Sequence, residues 1–143
     1  MKMEYEKVIE KLIEYGELLS NLKDSNYKQG KPEMENIDKK VKLLCNRIYE
    51  NDDSDKHLID CGYHFSLDKK ITIYLAGADY SDLHQEYFNN NLERRIAAIE
   101  NLLEDYITWG LPGDVKSETT ETGFKLNGKI FEISWKKTKS KGN

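Results

Sequence analysis

From Asp79 to Ile107 the apolar residues recur with a single helical period, and no other stretch of the chain sustains one for as long. Leu83, Tyr87, Phe88, Leu92, Ile96, Ile99, Leu103 and Tyr106 follow one another mostly at steps of three or four, which places them along one face of an α-helix. Gln85, Glu86, Asn89, Asn90, Glu93, Arg94, Glu100 and Glu104 fill the positions between and are expected to face water. Ala97 and Ala98 narrow the helix midway, so a second element can approach closely. Asp79 or Ser81 is the expected N-cap, since a short side-chain oxygen accepts from free amides of the first turn. Trp109-Gly110-Leu111-Pro112-Gly113 supplies the stop: a permissive glycine, then a proline that cannot continue the helix. About 25 helical residues span about 38 Å at roughly 1.5 Å each. A single long core helix is the plain expectation; the length also allows a kink near Asn89-Asn90-Asn91 or an end that meets a partner chain.

The flanking segments are shorter and must pack on this helix. Residues 3–23 read as a first helix, with Tyr5, Val8, Ile9, Leu12, Leu19 and Leu22 on one face and Ile13 and Leu18 widening it. Its charges attract at a spacing of three and repel at a spacing of four, so packing rather than surface charge holds it. Gly16 costs about 1 kcal/mol in a helix interior relative to alanine, which points to a close crossing there. Asn26, Gly30 and Pro32 punctuate a loop over 24–33. A second helix is expected from Pro32 or Glu33 to Asn51, burying Met34, Ile37, Val41, Leu44 and Ile48, with Cys45 beside them as a small hydrophobe. Asp53 or Ser54 caps a short third helix that Gly62 ends. Residues 69–76 alternate as a strand. Asn127-Gly128 between Phe124-Lys125-Leu126 and Lys129 to Trp135 is a type I′ hairpin signal, pairing Leu126 with Lys129 and Phe124 with Phe131.

The expected class is therefore α+β. A three- or four-helix core (3–110) carries a C-terminal β-hairpin (115–135), one further short strand and a basic tail (136–143), all in one domain. The length of 143 residues supports a real core without disulfide staples.

Net charge is −4, with 26 acidic and 22 basic residues. A chain that binds nucleic acid generally needs a basic face, so nucleic acid is an unexpected partner. Lys136, Lys137, Lys139 and Lys141 read as a solvated tail. Two cysteines, an N-terminus that runs straight into charged helix, and no apolar run of membrane-spanning length lead to the expectation of a cytoplasmic chain with reduced thiols.

No motif for catalysis stands out. His57, Cys61 and His64 have a loose metal-like spacing that matches no zinc pattern, and a core thiol beside surface histidines is the simpler reading. Gly77-Ala78-Asp79 lacks the glycine spacing of a nucleotide loop. Arg94-Arg95 has no histidine at the spacing used by helical ribonucleases. No nucleophile elbow is present. Neither enzyme activity, a metal nor a cofactor is expected. Nine tyrosines suit a binding surface, because tyrosine brings large contact area at modest entropy cost. The candidate binding residues are Tyr80, Tyr87, Arg94, Arg95, Trp109 and Trp135.

Three runs carry a family likeness: Leu12 to Leu19, Leu43 to Ser54, and Arg95 to Glu104. Together they resemble the helical module that precedes TIR-like or nuclease effector domains in bacterial antiphage proteins. The likeness spans roughly residues 3–110, though this chain lacks a tryptophan near the start of the second helix. The module has no catalytic residues. The resemblance implies association or sensing, with the chemistry in another chain. The leading expectation is a protein-interaction or regulatory subunit in phage–bacterium conflict, either a defence accessory or a phage-encoded inhibitor, with a homo-oligomer also allowed. The alternatives are an immunity protein or antitoxin that plugs a toxin, and a sponge for a nucleotide signal, for which Arg47, Arg94 and Arg95 are scattered basic candidates.

Overall fold

The computed structural model describes residues 4–49, 53–63 and 80–136, apart from the side chains of residues 53 and 54. The chain is α+β. Its described elements are the α-helices α1 (Tyr5–Asn21), α2 (Tyr27–Ile48), α3 (Asp53–Asp60) and α4 (Ser81–Asp105), then strands β1 (Ser117–Thr119), β2 (Gly123–Leu126) and β3 (Lys129–Glu132). A 3₁₀ turn (Leu22–Asp24) follows α1, and a π-helical turn (Tyr106–Gly110) extends α4. The strand expected over 69–76, His64 and the tail from residue 137 lie outside the described residues.

α4 is continuous through Asn89–Asn91, as a single core helix. Its apolar face is displaced from the one expected. Leu83 is half exposed, and burial begins at Phe88 and continues through Leu92, Ile96, Ile99, Leu102 and Leu103. Ala98 faces the core while Ala97 faces water. Tyr80, rather than Asp79 or Ser81, occupies the N-cap, and no side chain caps the helix there. α1 packs on α4 and α2 through Val8, Ile9, Leu12 and Leu19. Each of these, fully buried, contributes about 1.5–3 kcal/mol.

α2 starts five residues earlier than its sequence suggests. Asn26 is the N-cap, its Oδ1 accepting from the Lys28 amide at 2.9 Å. Gly30 and Pro32 thus fall inside the helix instead of in a loop. Gly30 is a packing notch, because a Cβ there would run into the Phe88 ring. Gln85 of α4 reinforces this start, accepting from the Tyr27 amide at 2.8 Å and donating to the Ser25 carbonyl at 3.0 Å. These tertiary contacts offset the backbone hydrogen bond that Pro32 removes.

Three polar contacts show that α2 and α4 run parallel and in register: Tyr27 with Gln85, Asp38 with Arg95, and Tyr49 with Asp105. They recur every eleven residues on α2 and every ten on α4, close to the about 10.8 residues that make three helical turns. The middle contact is buried. Asp38 Oδ1 accepts from Arg95 Nε (2.8 Å) and from the Tyr63 hydroxyl (2.7 Å), and Oδ2 accepts from Arg95 Nη2 (2.9 Å). Arg95 Nη1 donates to the carbonyl and side-chain oxygens of Asn91, both at 3.3 Å. Tyr63 arrives there because α3 ends in a Schellman turn. Gly62, at φ +93°, donates to Ile59 O and Tyr63 donates to Leu58 O.

The C-terminal segment is a three-stranded antiparallel sheet in the order β1-β2-β3. Asn127 (φ 49°) and Gly128 (φ 88°) make the expected hairpin turn, with Leu126 opposite Lys129 and Phe124 opposite Phe131. β1 is an addition that its sequence does not signal: Ser117, Glu118 and Thr119 are all exposed. Asn127 fastens its entry, donating its amide to Lys116 O and accepting from Lys116 N through Oδ1, both at 2.9 Å. Phe124, Leu126, Phe131 and Ile133 join the helical core. Trp135 pins the sheet to two helices. Its ring lies on Gly16 of α1, where a Cβ would collide with it. Its Nε1 donates to Glu100 Oε1 of α4 at 2.6 Å. The close crossing signalled by Gly16 is therefore with an indole, not a helix.

Two outcomes follow. Arg95→Leu or Asp38→Leu alone lowers stability in urea unfolding by about 3–5 kcal/mol, because each strands a buried charge, while the double variant loses less than either. Gly16→Ala, which in an open helix gains up to about 1 kcal/mol, destabilises here, since overpacking against Trp135 costs about 1–3 kcal/mol; a lowered Tm with a red-shifted tryptophan emission reads it.

Candidate functional site

At the far end of the parallel pair the chain opens into a cleft of about 1010 Å³. The start of α1 supplies Glu4, Tyr5 and Glu6 to its wall, the end of α2 supplies Arg47, Ile48 and Tyr49, and α3 supplies His57. Asp105 and Tyr106 come from the end of α4, with Trp109, Gly110, Leu111 and Pro112 beyond. Trp109 stands at this edge with 81% of its surface exposed. It lies in the π-helical turn, a local widening often found at functional sites. The turn is tightly packed on its inner side, where a Cβ at Gly110 would meet the Tyr106 ring.

A polar constellation occupies the inner wall. The Tyr49 hydroxyl donates to Asp105 Oδ2 at 2.9 Å. The His57 imidazole stacks on the Tyr49 ring, with centroids 3.8 Å apart and planes at 9°. His57 Nδ1 lies 3.6 Å from the same carboxylate oxygen, an ion pair only when the imidazole is protonated. Burial, and then the Asp105 carboxylate that it faces, push the Tyr49 phenol well above its ordinary value of 10.0. Tyr49 is thus held as a hydrogen-bond donor and is unsuited to act as a base. Among the described residues lining the cleft there is no serine, threonine, cysteine or lysine, the usual nucleophiles. The arrangement supplies aromatic faces, one fixed carboxylate and one guanidinium, which suits recognition.

The six residues expected to bind do not converge. Arg95 is corrected outright: it is 4% exposed and holds the core together through Asp38, so its charge is spent internally. Its partner is 57 positions away in the chain, beyond the reach of any local pattern. Trp135 is half-buried between α1 and α4. Tyr80 and Tyr87 are half-buried near the start of α4 and Arg94 is exposed in its middle, whereas Trp109 lies past its end. At about 1.5 Å per residue Tyr80 and Trp109 are about 43 Å apart. Only Trp109 belongs to the cleft. Tyr5, Tyr49 and Asp105 were not signalled as site residues, and His57 only through its metal-like spacing, because the four come from separate elements; a fold-level alignment of α2 with α4 is what brings them together.

Of the loose metal-like spacing only His57 and Cys61 are among the described residues. Cys61 is buried at the end of α3, and His57 is engaged with Tyr49 and Asp105. Among the described residues no three histidine, cysteine or acidic side chains are placed to hold an ion. Nor, among them, is any helix long and apolar enough to cross a membrane. Comparison with family models, with curated proteins and with solved structures returns no match, so the geometry carries the functional reading.

Both thiols are free. Burial raises Cys45 from 9.0 to about 12, with Cys61 a smaller cause, and raises Cys61 from 9.0 to about 11, with Asp105 and Asp60 adding to it. Thiolate is scarce at pH 8, so labelling by a disulfide reagent proceeds at the rate of unfolding. Because the folded values lie above the unfolded one, the thiols' contribution to stability is intact below pH 9 and is lost as pH rises toward 11–12. Urea midpoints measured at pH 8 and pH 10.5 read this loss.

Proposed function

We propose that the chain is a non-enzymatic protein-interaction module whose partner docks at the Trp109 end of the helical core. The observation that carries this reading is the exposure of Trp109, 81% open beside an aromatic cleft. Leaving an indole in water forgoes the stabilisation of burying it, and tryptophan is the residue most enriched among those that dominate interface energies. Among the described residues the other large exposed apolar side chains, Leu18, Leu43, Ile59, Leu83 and Ile130, lie on five different elements, and none of them lines the cleft. The likeness of residues 3–110 to helical modules of antiphage proteins supports a setting in phage–bacterium conflict. There the module serves as a defence accessory or a phage-encoded inhibitor, and its partner is an effector or a toxin.

A second reading has one observation in its favour. The cleft has the size of a small-molecule site, and Arg47 on its rim has no ion-pair partner among the described residues, as a nucleotide-signal sponge requires. Glu4 and Asp105 oppose it, since both repel phosphate.

The chain used as bait in bacterial lysate, compared with Trp109→Ala by quantitative mass spectrometry, separates these. The module reading expects a partner captured by the wild type and lost with Trp109→Ala, while stability changes by no more than about 0.5 kcal/mol, as for an exposed side chain. Retention of every captured protein by the variant overturns it.

A further inference from the structure

We propose that the cleft beside Trp109 receives an arginine side chain presented by the protein partner, with Asp105 as its counter-charge and the Trp109 indole as its stacking face. This rests on the interaction-module reading and names what the site recognises.

The carboxylate is half used. Asp105 Oδ2 takes the Tyr49 hydroxyl and faces His57, while Oδ1 has no partner among the described residues. The Tyr49 bond fixes the group's orientation, and the side chain keeps 28% of its surface exposed. A carboxylate held this way is a preorganised acceptor for a charged donor. The surroundings have the same sign. Glu6 is neutralised by Lys129 at 3.1 Å, but among the described residues Glu4 and Asp105 have no cationic side chain bound to them other than a protonated His57 beside Asp105, and Arg47 is the single arginine on the wall. With His57 uncharged the balance is one negative charge. Two helical C-termini, those of α2 (Ile48) and of the π-helical turn (Gly110), reach the cleft against one N-terminus, that of α1 (Tyr5); C-termini attract cations and N-termini anions, so the balance of helix ends favours a cation.

Sign alone admits lysine, a polyamine or arginine. Geometry selects among them. A guanidinium is planar and stacks on an indole while its edge donates to a carboxylate, which an ammonium cannot do at once. At about 1010 Å³ the cleft also exceeds a lone cation and accommodates a side chain with the backbone that bears it. A nucleotide would set its phosphates against Glu4 and Asp105, with Arg47 alone to compensate.

The test titrates the full chain with N-acetyl-arginine methylamide, its uncharged citrulline counterpart, spermidine and ATP. The readout is tryptophan emission, with Trp109→Phe as the blank that isolates Trp109. Saturable quenching by the arginine derivative, none by citrulline, and about tenfold weaker binding in Asp105→Asn supports the proposal. Glu4→Gln, at an exposed position that cannot unfold the chain, is expected to weaken binding about threefold and serves if Asp105→Asn fails to fold. Spermidine binding as well as arginine, a response to ATP that depends on Arg47, or arginine binding indifferent to both acidic variants overturns it. In the bait experiment, a partner lost with Trp109→Ala but kept with Asp105→Asn and Glu4→Gln leaves the module reading standing and removes the arginine assignment. A partner kept by all three variants removes both.

Discussion

Asp38 and Arg95 meet in the interior with every polar atom of the pair engaged, and the placement of the other helices follows from that meeting. Removing two ions from water costs several kcal/mol each, and the recovery is complete only when the geometry is bidentate and the remaining donors are used. Here the fork closes on both carboxylate oxygens, Tyr63 adds a third hydrogen bond, and Asn91 takes the remaining guanidinium nitrogen. Such a pair adds less to net stability than to specificity. Apolar stripes on two parallel helices tolerate a slip by one turn, because leucine packs on leucine either way. A buried charge does not, since a slip leaves it without its partner.

The register set at this point is read out at both ends of the two helices. Three turns toward the N-termini, Gln85 reaches the Tyr27 amide and Phe88 fills the notch at Gly30. Three turns toward the C-termini, Asp105 meets the Tyr49 hydroxyl, and the cleft opens beside it. The candidate site is therefore positioned from the core and not by its own local contacts. Tyr63 extends the same control to α3, because the Schellman turn that stops α3 delivers that tyrosine to the buried carboxylate. His57, on α3, is held where it can stack on Tyr49.

What the residues reveal in isolation is what depends on nearest neighbours. α1, most of α4 and the Asn127-Gly128 hairpin follow from periodicity and turn chemistry, and their register was legible. Gly30 and Pro32 misled, because a glycine that receives a ring looks the same as one that breaks a helix until Phe88 is placed above it. β1 was invisible, since Ser117, Glu118 and Thr119 bury nothing and are held by backbone pairing and Asn127. Arg95 beside Arg94 reads as a basic surface, yet the two differ by a helical step that turns one inward to Asp38 and leaves the other in water. Of the site, Trp109 could be named, but its neighbours are brought together only by tertiary structure.

Trp135 closes the described chain on itself, its ring on Gly16 and its nitrogen on Glu100. During synthesis on the ribosome the helices emerge first, and the groove over Gly16 stays uncovered until translation has passed residue 135. This contact of the core is thus withheld from the nascent chain, and a polypeptide stalled shortly before that point would present an open apolar seam to chaperones.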